Sequence, residues 1–218
     1  MKIAIIEPVG GHGGMDYYDY GLSYGLGEND CQVFYYTCNK TQCRVFKNVE
    51  TVITFVDVWN GYLPLKVYRY LSGFNRALNH ARKQGVKIVH LHFFTFRLID
   101  LLVLKKAKSM GFKVVATVHD INAFDMSGSS SIEQKCYKLI DGIIVHNQSS
   151  FDDLRKKDLP IKKCTIIPHG NYKPFIEEIK SRDKINPDFA LLFFGQIKKV
   201  KGLDILLDAV YRTKQKGY

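Results

Sequence analysis

An open α/β fold, with a parallel sheet covered by helices on both faces, is what this 218-residue sequence predicts. Short apolar runs alternate with helical stretches through the first 170 residues. Those runs are near-continuous Ile, Val and Phe, as strands buried on both sides must be. Composition agrees: 46% of residues are hydrophobic, enough for a real core, and no stretch reaches the roughly 20 apolar residues of a membrane span.

Taken in order, the strands are expected at Lys2–Ile6, Gln32–Tyr36, Val52–Val56, Ile88–His92, Lys113–Val118, Gly142–Val145 and Cys164–Ile167. Helical patterns fall near 15–26, 65–84, 97–110, 130–139 and 148–157. The first run is too short for a signal-peptide core and passes directly into Glu7-Pro8, so it reads as a strand. Residues 1–170 therefore form a doubly wound, Rossmann-like domain. The segment 171–187 has the polarity of an interdomain linker, with Pro174, Glu177, Glu178, Lys180 and Pro187.

A second unit opens at 188–218. Ala190–Phe194 reads as a buried strand, and Leu203, Leu206, Leu207 and Val210 mark one face of a helix. Between them, Gly195, Lys201 and Gly202 shape a phosphate seat, where amides, helix dipole and a lysine charge attract an anion. These 31 residues fall below the roughly 40 that usually fold without help. The expectation is one complete domain plus the first strand-loop-helix of a truncated second Rossmann-like domain.

Net charge is +11, from 32 basic and 21 acidic residues, which suits anionic partners: nucleotides, nucleic acid or an acidic membrane surface. Nucleic acid is set aside because the aromatics follow core periodicity and no recognised module appears. Five cysteines without a CxxC pair read as reduced structural thiols of a cytoplasmic protein, and no metal site is expected.

The first strand ends in Pro8-Val9-Gly10-Gly11-His12-Gly13-Gly14, at the sheet edge where open α/β folds bind ligands. Four glycines exceed what a turn needs and let backbone approach a ligand. This is not a dinucleotide fingerprint, because Asp16 stands where its third glycine belongs. No P-loop and no Asp-x-Asp pair occurs. Val118-His119-Asp120 closes another strand, placing a His-Asp pair at the same edge. His90 and His92 share one face of a strand and read as buried structural histidines, while His146 and His169 each end a strand. On 65–84 an apolar stripe (Val67, Leu71, Phe74, Leu78, Ala81) opposes Lys66, Arg69, Arg76, His80 and Lys83. With the loop carrying Trp59 and Tyr62, that basic face suits an anionic membrane surface.

Together these pieces resemble the retaining glycosyltransferases of family four, of GT-B fold, over essentially the whole chain. The carriers are Gly10–Gly14, Val118-His119-Asp120, Ile166-Ile167-Pro168-His169-Gly170 and, most specific, Phe193–Asp204. In the family that last motif is Gly-Arg followed five residues later by Lys-Gly. Here Gln196 stands at the arginine position, supplying a hydrogen bond without charge, and Lys201 matches the lysine.

The resemblance implies a GT-B N-terminal domain that transfers a hexosyl unit from a nucleoside-diphosphate sugar to a lipid-linked or saccharide acceptor. Retention, a role in polysaccharide or glycolipid biosynthesis, and no cofactor beyond the donor substrate come with it. It places His119 at the transferred sugar as the catalytic residue. Gly13, Gly14, Gln196 and Lys201 bind donor phosphate, and His12, Asp16 and Asp120 lie on the acceptor side. The family's Glu-x7-Glu element is not in the sequence, so the 218 residues alone are expected to be inactive. The expected location is cytoplasmic and peripheral at the inner face of the plasma membrane. The alternatives are a nucleotide-sugar epimerase of the same fold and a non-catalytic anion-binding module.

Overall fold

The computed structural model describes residues 1–11, 15–119, 131–157, 159–171, 191–194 and 197–215. Among the described residues, twelve elements build the first of two compact units, Met1–Ile176. In order these are β1 (Lys2–Ile6), α1 (Met15–Glu28), β2 (Gln32–Cys38), β3 (Val49–Phe55), α2 (Leu63–Lys83) and β4 (Ile88–Phe93). Then come α3 (Leu98–Ser109), β5 (Lys113–Val118), α4 (Ser131–Leu139), β6 (Gly142–Val145), α5 (Gln148–Lys156) and β7 (Cys164–Ile166). The seven strands form one sheet in the order β3-β2-β1-β4-β5-β6-β7. Every pairing is parallel. The α/β, Rossmann-like, doubly wound reading holds.

Alternation along each strand sorts side chains onto two faces. Ala4, Ile6, Phe34, Tyr36, Val89, Leu91, Val114 and Ala116 meet α2, α3 and α4 in the larger core. Ile3, Ile5, Val33 and Tyr35 meet Tyr20, Leu22 and Leu26 of α1 in a smaller one. Helices α2 and α3 end alike, on Gly85 (φ 75°) and Gly111 (φ 87°). In each, two amides turn back to the last carbonyls: Gly85 to Arg82 and Val86 to Ala81, then Gly111 to Lys108 and Phe112 to Ala107. This glycine cap redirects the chain into β4 and β5, and Val86 and Phe112 are buried beside it.

The edge strand β3 begins three residues before the expected Val52. Its start is set by pairing with β2, from Val33 opposite Val49 onward, through polar Glu50 and Thr51 that an apolar run does not include. All five cysteines are free thiols, with Cys31, Cys38 and Cys136 buried. Among the described residues no helix is long and apolar enough to cross a membrane.

The second unit is Glu177–Tyr218. The strand expected at Ala190–Phe194 is not formed at its described residues 191–194, and Leu192 and Phe194 are 89% and 92% exposed. A strand exists through the ladder it joins, and among the described residues this unit offers no second strand. A single 3-10 turn, Lys199–Lys201, leads into α6 (Leu203–Gln215). Asp204 in its first turn and Arg212 and Lys214 in its last complement the helix dipole, yet none of its residues is buried.

Candidate functional site

In this strand order the chain winds from β1 outward to β3 and then returns to β4, so the loops after β1 and β4 diverge and leave a crevice at the carboxyl edge. The loop after β1 is tied down firmly. Buried Glu7 accepts the Val9 amide at 2.6 Å, and the Cys38 thiol donates to the Gly10 carbonyl at 3.2 Å. A Cβ on Gly10 would overlap Thr41 Oγ1 and lie 2.6 Å from Thr37 Oγ1, so that glycine is there for close approach. Asp16, at the start of α1, accepts the Gly11 amide at 2.9 Å and the Thr41 hydroxyl at 3.1 Å. The carboxylate expected on the acceptor side thus spends both oxygens shaping the loop. His12, Gly13, Gly14, Asp120 and Gln196 lie outside the described residues.

On the α1-facing side of the sheet, the carboxyl half of β4, β5 and β6 is polar rather than apolar. Alternation puts His90, His92, Thr117 and, one residue past β5, His119 on this side, since Val89, Leu91, Val114, Ala116 and Val118 fill the other core. His90 Nε2 lies 2.8 Å from Thr117 Oγ1, and His92 Nδ1 lies 3.2 Å from His119 Nε2. The other nitrogen of His92 is 3.1 Å from Asp19 Oδ1 of α1, at ion-pair range but without hydrogen-bond alignment. His146 follows β6 and donates Nδ1–H to the Ile167 carbonyl at 2.8 Å, an assignment that the acceptor requires. His169 stacks obliquely on it, ring centres 3.8 Å apart. The Tyr18 ring stands edge-on to His92, His119, His146 and His169 at 5.0–5.4 Å.

Burial governs the charge of this set. It lowers His119 to about 3, with the His146 and His169 charges adding to the effect. It lowers His90 to about 4 and drives His92 well below the ordinary range. His169 is lowered too, by burial and then by His146. Burial raises Glu7 to about 7 and lifts Asp19 well above a usual carboxylate, Glu7 adding to the latter. At neutral pH His90, His92, His119 and His169 are therefore uncharged, able to hydrogen-bond hydroxyls or to offer lone pairs. Beside it, Tyr17, Tyr18, Leu22, Ile167, Pro168 and Gly170 line a cleft of about 250 Å³. A larger hollow, about 480 Å³ beside Asp30, Gln32 and Asn48, lies at the opposite, amino edge, away from these groups.

Sequence alone marks His119 as the reactive histidine of this edge. The structure keeps it there and brings His92, His146, His169 and Tyr18 to it, with Asp19 behind His92. In the second unit Lys201 is exposed, but the amides of Lys201 and Gly202 close the 3-10 turn on Lys198 and Lys199. Those two amides are not part of a phosphate seat. On α2 the basic face is less uniform than its spacing implies. Arg69 donates to the Asp57 and Asn60 carbonyls, Arg76 to the Thr54 carbonyl, and His80 Nδ1 meets the Tyr36 hydroxyl at 3.0 Å. His80 thus faces the sheet, because at one residue from Ala81 it lies on the border of the stripe. Lys66 is half-buried, Lys83 is exposed, and so are Trp59, Tyr62, Leu63, Val67 and Tyr68.

Residues 12–170 match the family model described as Glycosyltransferase Family 4. No curated protein matches the sequence significantly. Among solved structures, a sucrose-phosphate synthase chain from Thermosynechococcus elongatus aligns with TM-score 0.56 at 16% identity, over 80% of this chain and 93% of that one. UGT73P12 of Glycyrrhiza uralensis, complexed with glycyrrhetinic acid 3-O-monoglucuronide, aligns with TM-score 0.52 at 8% identity, over 77% of this chain. This chain spans 49% of the length of that second structure. At such identities the likeness is one of fold, and it is the GT-B fold of glycosyltransferases. A family model that covers residues 12–170 carries more than fold, and the chain belongs to the glycosyltransferase family which that model describes.

Proposed function

We propose that this chain is the acceptor-side domain of an enzyme that transfers a hexosyl unit from a nucleoside-diphosphate sugar, with retention, to a lipid-linked or saccharide acceptor. Polysaccharide or glycolipid assembly at the cytoplasmic face of a membrane is the setting. The carrying observation is His119, uncharged at the carboxyl edge of β5, with Nε2 held by His92. Held in this way, the ring offers Nδ1 to a sugar hydroxyl without the cost of desolvating a charge. As the donor bond breaks, charge grows on the leaving diphosphate. Gly13, Gly14, Gln196 and Lys201 are the residues to meet it, and His12, Asp16 and Asp120 line the acceptor side. No cofactor enters the transfer on this reading.

Transfer from a panel of sugar nucleotides tests it. In the active enzyme His119→Ala lowers kcat/KM about 100-fold, near 3 kcal/mol of transition-state stabilisation. Unchanged transfer in that variant overturns the reading. Conversion of the sugar nucleotide into an epimer without acceptor favours an epimerase, and binding without turnover a non-catalytic module. The same assay on the 218-residue chain tests the expectation that it is inactive alone.

The exposed Trp59, Tyr62, Leu63 and Tyr68 beside α2 favour a second reading, docking on an anionic membrane surface with Lys66, Arg69, Arg76 and Lys83. Because Arg69 and Arg76 hold carbonyls of the Trp59 loop and β3, the clean variant is Lys66→Gln with Lys83→Gln. Each lysine near such a surface contributes about 1 kcal/mol at low salt. Vesicle affinity by co-sedimentation therefore falls about 30-fold for the pair, and further with Trp59→Ser. Equal sedimentation of parent and variants returns this face to solvent.

A further inference from the structure

Three imidazoles converge at the carboxyl edge from three different segments: His119 after β5, His146 after β6 and His169 after β7. Each offers one nitrogen, and the three nitrogens lie within 4.8 Å of one another. We propose that His119, His146 and His169 bind a divalent transition metal of the zinc class, with a fourth position open to solvent on the exposed His169 side.

Their second contacts are those expected of ligands. His146 Nδ1–H is committed to the Ile167 carbonyl, which fixes the tautomer and leaves the lone pair on Nε2. That Nε2 is buried and makes no hydrogen bond among the described residues. A buried lone pair without a donor is costly unless something accepts it, and a metal does. His119 has Nε2 against His92 Nδ1, and His92 has its own Nε2 beside the Asp19 carboxylate. The His92 contact orients His119 from behind and leaves Nδ1 as its free ring nitrogen.

Ligand type agrees. Imidazole alone, with neither thiolate nor carboxylate in the set, suits zinc, copper, nickel or cobalt rather than magnesium or calcium. Metal–nitrogen bonds of about 2.0 Å put tetrahedral ligand nitrogens roughly 3.4 Å apart, so closure needs rotation of the imidazoles by somewhat over 1 Å. The exposed His169 has room for it. Such a metal goes beyond the transfer reading: it takes the lone pair there assigned to the sugar, so metal and substrate compete for His119.

The test is zinc stoichiometry on the purified, chelator-stripped chain, with affinity from competition against a chromophoric chelator and geometry from cobalt absorption. One tightly held equivalent is expected, with the intense visible bands of tetrahedral cobalt, and a rise in Tm on zinc addition. His169→Ala, at an exposed position that folding does not need, should weaken binding at least 10- to 100-fold, and His146→Gln similarly. Cys43→Ser with Cys164→Ser should leave it unchanged. Absence of a stoichiometric metal overturns the site, as does binding that survives His169→Ala or is lost with the two cysteines.

Discussion

Glu7→Gln is expected to stabilise the folded chain by about 3 kcal/mol at pH 8 and to converge on the parent below pH 4.5. Glu7 is 2% exposed, and burial, aided by the Asp16 charge, lifts it from 4.5 to about 7. A carboxyl whose folded value is raised binds its proton more tightly when folded. Its contribution is therefore fully present below pH 4.5 and is lost as pH rises through 7. Above that pH the folded protein carries a buried carboxylate that glutamine replaces without charge, and the Val9 amide keeps an oxygen acceptor. Urea denaturation at a series of pH values, followed by the fluorescence of the single tryptophan, Trp59, reads the difference. The histidines pull the other way. His90 and His119, lowered to about 4 and about 3, contribute stability above their unfolded values that is lost on acidification. The two stability curves should separate between pH 4.5 and 7, and parallel curves there would show that Glu7 titrates normally.

Gly10→Ala is expected to cost about 3 kcal/mol, from overpacking and from the loss of neighbouring hydrogen bonds. The added methyl overlaps Thr41 Oγ1 and crowds Thr37 Oγ1. Thr41 must then release both its 2.7 Å contact to Thr37 and its 3.1 Å bond to Asp16. The damage should reach the glycine loop, because Asp16 also holds the Gly11 amide. A double-mutant cycle separates this from general destabilisation. In a Thr41→Gly background the same Gly10→Ala change should cost about 1–2 kcal/mol less, with Thr37 accounting for what remains. Additive costs would place Thr41 away from the Gly10 backbone.

Much of the fold was legible because β1, β5 and β6 are short, mostly apolar runs, and their observed bounds are the expected ones. Strand β3 was harder to bound, since an edge strand tolerates Glu50 and Thr51 and pairing alone decides where it starts. Phe193 and Phe194 look like a strand by composition, but a strand is a relation between segments, and composition does not carry it. The site divided along the same line. His119 is visible as a histidine at a strand end, and His90 and His92 as neighbours on one face. That His119, His146 and His169 meet depends on the relative register of β5, β6 and β7, which no local pattern encodes. Tyr18 and Asp19 escaped notice because α1 buries Asp19, Tyr20, Ser23 and Gly27, a face too polar to read as inward.

Strand order also has a consequence during synthesis. Ile3 pairs with Val33 on one side and with Ile88 on the other, so β1 waits 85 residues for its second neighbour. At roughly 5–20 residues per second the ribosome takes about 4–17 s to supply it. Through that interval the β3-β2-β1 half can assemble with α1, while the far edge of β1 keeps its unpaired amides and carbonyls beside Ala4 and Ile6. Such an edge is a template for pairing with another nascent chain. Once β4 docks, every later strand extends the sheet from the same side, one crossover at a time. The passage of residues 7–88 through the exit tunnel is thus the period in which this protein is most exposed to aggregation and most in need of a chaperone.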